Sequence, residues 1–140
     1  MLPEPYRLHH HSDFSRTVRR GHRIGRRDLV VHMLFAGVDS GGLSSVGGPR
    51  FGLIINKAVG NAVVRHRVAR RLRHVCAELV VSGDSADFWR TLGGGRRDML
   101  ERADIVIRAL PGAATASSRD LAGQVRGGVG KILERERSTE

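Results

Sequence analysis

The chain has 140 residues, 40% of them apolar, a formal charge of +10 and a pI near 11.5. That length suits one compact domain, 1–140, and only six aromatic residues leave most of the packing to aliphatic side chains. A single cysteine excludes an internal disulfide, and the charge calls for a polyanionic partner, for which nucleic acid and an anionic membrane surface both qualify.

Residues 1–11 contain two prolines and read as an extended lead-in without the apolar core of a signal peptide. Ser12-Asp13 can cap a short helix running to about Arg20 and stopped by Gly21, with Phe14 and Val18 four apart on one face. DLVVHMLF (28–35) reads as a strand, 37–49 as a Gly/Ser-rich flexible loop, and RFGLIIN (50–56) as a second strand. The longest apolar run starts at Leu29, is broken by His32 and falls far short of the ~20 residues that span a bilayer. A soluble, cytoplasmic protein is expected. After a tight Lys57–Gly60 connection, Asn61 can cap a helix from Ala62 to about Val80. Residues 82–98 look like a surface insertion, and ADIVIRAL (103–110) is a third strand, ended by Pro111-Gly112. Ser117 with Asp120 resembles a capping box opening a last helix to about Arg137. The order helix-strand-strand-helix-strand-helix implies an α+β fold, a small two-layer α/β sandwich.

The middle helix carries the chemistry. At about 100° per residue, Val64, Val68, Leu72, Val75, Cys76 and Leu79 share one side, and His66, Arg67, Arg70, Arg73 and His74 project from the other. Arg65 and Arg71 flank the apolar stripe. A charged helix face is usually solvated and laced with i,i+4 ion pairs, but no acid lies between Lys57 and Cys76. Like charges this dense favour a bound polyanion, and the planar arginine fork can grip a phosphate with two hydrogen bonds. A basic membrane-surface helix competes, yet the apolar side lacks Trp and Phe and is needed for the core. Cys76 reads as a core residue rather than a nucleophile. His9-His10-His11 point in different directions along an extended segment with no Cys or acidic cluster beside them, so no metal site is expected. No paired carboxylates, Ser/His/Asp set or metal-ligand pattern makes the polypeptide a nuclease by itself.

Gly60-Asn61-Ala62-Val63, then Arg65-His66-Arg67, Arg70 and Arg73, resembles the signature of the bacterial ribonuclease P protein subunit. So do Arg7-Leu8 ahead of a helix with Asp13-Phe14 and Gly21, the strand residues Phe51-Gly52-Leu53, and Lys57 just before Gly60. The resemblance runs from Arg7 to the final helix. It implies that family's fold, with its unusual left-handed βαβ crossover, and a subunit of an endoribonuclease that removes the 5′ leader of precursor tRNA. Hydrolysis would fall to the RNA component with its Mg ions, and the protein alone would bind no cofactor. The implied partners are the catalytic RNA, one protein per RNA, and precursor tRNA, with no membrane. Carried over position by position, Gly60, Asn61, Arg65, His66, Arg67, Arg70, Arg71 and Arg73 would meet the catalytic RNA. Phe14, Val18, His32 and Lys57 would line a cleft for the leader. His66 stands where the family usually has Asn, Ala69 where Lys is common, and Val18 and His32 where aromatics are frequent. Stacking would then rest mainly on Phe14, with His32 as a partial substitute. The alternative is a structural, ribosomal-type RNA-binding protein, against which the Gly-Asn-Ala-Val-x-Arg-His-Arg run favours the processing subunit.

Overall fold

The computed structural model describes residues 7–35, 49–81 and 103–138. In chain order these form α1 (His11–Arg20), β1 (His22–Gly25), β2 (Leu29–Phe35), β3 (Arg50–Ile54), α2 (Ala62–Val81), β4 (Ala103–Ala109), a 3-10 turn (Pro111–Ala114) and α3 (Ser118–Ser138). The sheet runs β1-β2-β4-β3, antiparallel except for the β3–β4 pair. β4 is hydrogen-bonded on both sides, which is why ADIVIRA is an almost unbroken apolar run. A parallel pair needs a long crossover, and α2 lies on it.

The α+β class holds, with two elements the sequence did not announce. β1 has four residues and buries only Ile24, too little for a periodic signal, and exists because it pairs with β2 from His22 opposite Met33 to Gly25 opposite Val30. The 3-10 turn begins at Pro111, where a missing N–H costs nothing. α1 starts at His11 rather than after a Ser12-Asp13 cap, and His10 at its cap position makes no side-chain cap bond. Nearly all of the 37–49 loop and the whole 82–98 insertion lie outside the described residues.

Strand pairing decides which side chains share a face. Ile24, Val31, Met33, Phe51, Ile105 and Ile107 form one wall of the core, closed by Val68, Leu72, Val75, Cys76 and Leu79 of α2 and Leu121, Val125, Val129 and Ile132 of α3. Burial pushes the Cys76 thiol far above its usual range, so it is an inert core group. α3 can come this close because Gly128 has no side chain: a Cβ there would lie 2.6 Å from a Val31 methyl. Sheet and helix pair make the two expected layers, to which α1 adds a helix on the far face.

α1 lies on the opposite face, over Gly52, and its seat is polar. Thr17 and Asp13 are buried, and the Thr17 hydroxyl donates to the Asp13 carbonyl at 2.7 Å. Arg50 donates through Nε and Nη2 to the two Asp104 oxygens, both at 2.9 Å, and its Nη1 stands 3.7 Å from Asp13 Oδ2. Arg16 pairs with Asp13 from the helix side. Burial pushes the Asp104 carboxyl up from its usual range against the pull of Arg50. Removing one partner from such a buried pair typically costs about 3–5 kcal/mol, because the other charge is left uncompensated.

His32 shares this face with Gly52 and Val106, is 2% exposed, and finds no hydrogen-bond partner for either ring nitrogen among the described residues. Burial first, then the charges of Arg108 and Arg23, hold its pKa below the ordinary 6.5. The unfolded chain therefore takes up this proton at a pH where the folded chain does not. The stability contributed by neutral His32 is complete above about pH 6.5 and declines as pH falls below it. Against a His32→Leu variant, the wild-type melting temperature should drop between about pH 7.5 and pH 5.5. Parallel melting curves for the two proteins across that range would refute the burial argument.

Candidate nucleic-acid interface

The segment from Asn56 to Asn61 sets the start of α2. The Asn56 side chain accepts from the Ala58 N–H at 3.0 Å, and its carbonyl accepts from Val59 at 3.1 Å, which folds the chain back on itself. Gly60 follows at φ +156°, with no room for a side chain: a Cβ would lie 2.7 Å from a Val64 methyl. Asn61 then caps the helix, its Oδ1 accepting from the Val64 N–H at 3.0 Å. Ser117 does the same for α3, accepting from Asp120 N–H at 3.1 Å.

No acid sits in the first turn of α2, so its positive helix end adds to the arginine charge rather than being neutralised. The helix shows its cations in three directions. His66, Arg67 and Arg70 are exposed and border a shallow depression with Val63, the large apolar residue that is 68% exposed. Arg65 and Arg73 are half-buried and turn towards the outer edge of β3. Arg71 turns the other way, its Nη1 donating to the Ala116 carbonyl at 3.0 Å and tying α2 to the segment before α3. His74 pairs with Glu78 at 3.1 Å, one turn beyond the cluster.

Along the β3 edge runs a trough. One open cavity of about 830 Å³ is bordered by Arg7, Leu8, Phe14, Phe51, Arg65, His66 and Arg73 among others. A second, of about 570 Å³ on the α1 side, is bordered by His11, Phe14, Val18, Arg19, Ile54 and Arg108. His9, Phe14 and Leu53 line both, so the two adjoin at the strand edge. The lead-in follows the same edge, Leu8 donating to the Phe51 carbonyl at 2.9 Å. Phe14 stands at the junction, resting on Gly52, where a Cβ would collide with its ring. A path with an aromatic ring at its waist and guanidinium groups on both walls has the chemistry of a single-stranded nucleic-acid channel. Among the described residues no three His, Cys, Asp or Glu side chains converge to hold a metal ion.

A family profile described as Ribonuclease P matches residues 2–133. The ribonuclease P protein component of Nocardia farcinica is 56% identical over 146 residues, covering 94% of this chain and 83% of its own. That of Rhodococcus jostii is 59% identical over 130 residues, covering 92% and 90%. The chain belongs to the ribonuclease P protein family. Solved ribonuclease P proteins share its fold despite low identity. The one from Staphylococcus aureus matches with a TM-score of 0.58 at 19% identity, over 89% of this chain and 92% of that one. The one from Thermotoga maritima matches at 0.59 and 16%, over 89% and 96%.

In this ribonuclease P family chain, the residues expected from the sequence do not all come together. Phe14 and Val18 share the α1-side cavity, and Arg65, His66 and Arg73 reach the same trough from α2. His32 is sealed beneath α1 and presents no ring face to a base, while exposed Lys57 sits in the turn ahead of α2 and borders neither cavity. Arg71 is engaged internally. Arg108 was missed, and its signal was visible: a cation directly after the apolar run Ile105–Ile107 of a central strand costs burial energy and demands a reason. Because Gly60 needs both its backbone angle and its missing Cβ, Gly60→Ala should destabilise the protein by about 1–3 kcal/mol in chemical denaturation. An unchanged midpoint would mean that the start of α2 is less constrained than its geometry implies.

Proposed function

We propose that this chain is the protein subunit of ribonuclease P, binding the catalytic RNA and the 5′ leader of precursor tRNA and so assisting removal of the leader. The observation that carries this reading is the trough around β3, with Phe14 at its waist and the α2 arginines along one wall. The names of the relatives agree with it. The exposed ridge of His66, Arg67 and Arg70 meets the backbone of the catalytic RNA, one protein per RNA. The trough takes the single-stranded leader, with Phe14 stacking on a base and Arg65, Arg73 and Arg108 facing its phosphates. Catalysis belongs to the RNA and its Mg ions, which supply the activated water for phosphodiester hydrolysis. The protein's cations reduce phosphate repulsion where leader and RNA meet, the same electrostatic service Mg ions give, so less Mg is needed. No described helix is long and apolar enough to cross a membrane, and a cytoplasmic site of action suits tRNA maturation.

Labelled precursor tRNA, incubated at low Mg with the catalytic RNA and the protein separately and together, tests the whole reading. Only the mixture should release the leader at the mature 5′ end. No gain from the protein favours the structural RNA-binding alternative, and cleavage by the protein alone would point to a catalytic site in the polypeptide. Every phosphate that the protein no longer neutralises should reduce the slope of log affinity against log salt by about 0.7–0.9, so Arg67→Ala with Arg70→Ala should flatten it by nearly twice that. An unchanged slope removes the ridge from the interface. Phe14→Ala should weaken binding of leader-bearing precursor by about 1–3 kcal/mol and leave mature tRNA binding nearly unaltered. Equal losses on both RNAs would assign Phe14 a purely structural role.

A further inference from the structure

α1 carries Phe14, yet it is held over the sheet at two points of different kind. At its C-terminal end the approach is backbone on backbone: Gly21 lies so close to β2 that a Cβ there would be 2.6 Å from the Met33 carbonyl oxygen. At its N-terminal end, beyond the Leu8–Phe51 backbone bond of the lead-in, the hold on the helix itself is charge. Arg50 is fixed to the sheet by its two bonds to Asp104, its register partner on β4, and reaches Asp13, the residue just before Phe14. Arg50 also lies two residues from Gly52 along β3, hence on the same face, where Phe14 rests with no slack beneath it. The lead-in is tied to β3 at Leu8, three residues before α1 begins, so loosening the Asp13 contact would let α1 tilt between that tether and Gly21 and shift Phe14 over the strand.

We propose that Arg50 is a positioning residue for leader recognition: through Asp104 and Asp13 it holds α1 at the height where Phe14 closes over Gly52 and sets the width of the trough. The inference rests on the leader reading of the trough given above. The role demands a planar fork that can grip Asp104 with two bonds and still present a third nitrogen to Asp13. A lysine ammonium keeps the charge and loses that geometry.

Holoenzymes reconstituted with wild-type, Arg50→Lys and Asp13→Asn subunits test it, with three readouts: affinity for leader-bearing precursor relative to mature tRNA, affinity of the subunit for catalytic RNA alone, and thermal melting. Arg50→Lys should keep catalytic-RNA affinity within about twofold while its preference for leader-bearing precursor falls about fivefold or more, the scale of one base unstacked from an aromatic ring. Asp13→Asn, which leaves the Arg50–Asp104 fork in place, should shift the preference in the same direction. Wild-type preference in a folded Arg50→Lys subunit overturns the proposal, as does an equal loss of affinity for catalytic RNA. Should Arg50→Lys fail to fold, Asp13→Asn decides alone. A wild-type holoenzyme with no preference for leader-bearing precursor brings down the leader reading itself, and this inference with it.

Discussion

Seating α2 is the problem on which the rest of the structure depends. Five arginines between residues 65 and 73, with no acid among them and a bare positive helix end beside them, repel one another in the free protein. What keeps them in a helix is the stripe from Val68 to Leu79, buried against the sheet and α3. Most helical stability comes from packing an amphipathic face rather than from propensity, and here packing must also offset charge. The rigid entry through Asn56, Gly60 and Asn61 then fixes the angular phase of the helix, so that each arginine faces a defined direction.

The two faces of the sheet are built by different physics. On the α2–α3 side the contacts are aliphatic and close, with Gly128 allowing the approach. On the α1 side the interface holds Asp13, Thr17, His32 and Asp104, a buried polar layer in which directional bonds set the geometry. Apolar packing tolerates small slides, whereas a forked Arg–carboxylate contact specifies position. A wall that must hold an aromatic ring at one height above a strand is better served by the second.

Charge and fold contribute differently to the proposed RNA binding. Counterion release from phosphates can supply affinity without sequence reading, and the exposed arginines of α2 are placed for that. The trough adds what charge cannot, an aromatic ring beside guanidinium groups, the chemistry on which unpaired bases stack.

Much was legible in the chain itself. The two halves of α2, apolar and cationic, follow from a period of 3.6 that needs no tertiary information, and Asn61 and Ser117 cap their helices as their side-chain chemistry dictates. The strands β2 and β4 announced themselves because central strands are mostly apolar, with runs such as Leu29–Val31 and Ile105–Ile107. β1 did not, since four residues with one buried side chain carry no period. Pairwise geometry was equally invisible. That Arg50 meets Asp104, 54 positions away, follows only from the parallel register of β3 and β4. That Asp13 turns inward instead of capping α1, that His32 lies under that helix instead of in the trough, and that Arg71 bonds to Ala116 are likewise decided by which surfaces meet. Local sequence determines an element's period, caps and charge because those depend on neighbours along the chain. Which side chains end up facing one another depends on strand order and helix placement, and those are settled only when the whole core closes.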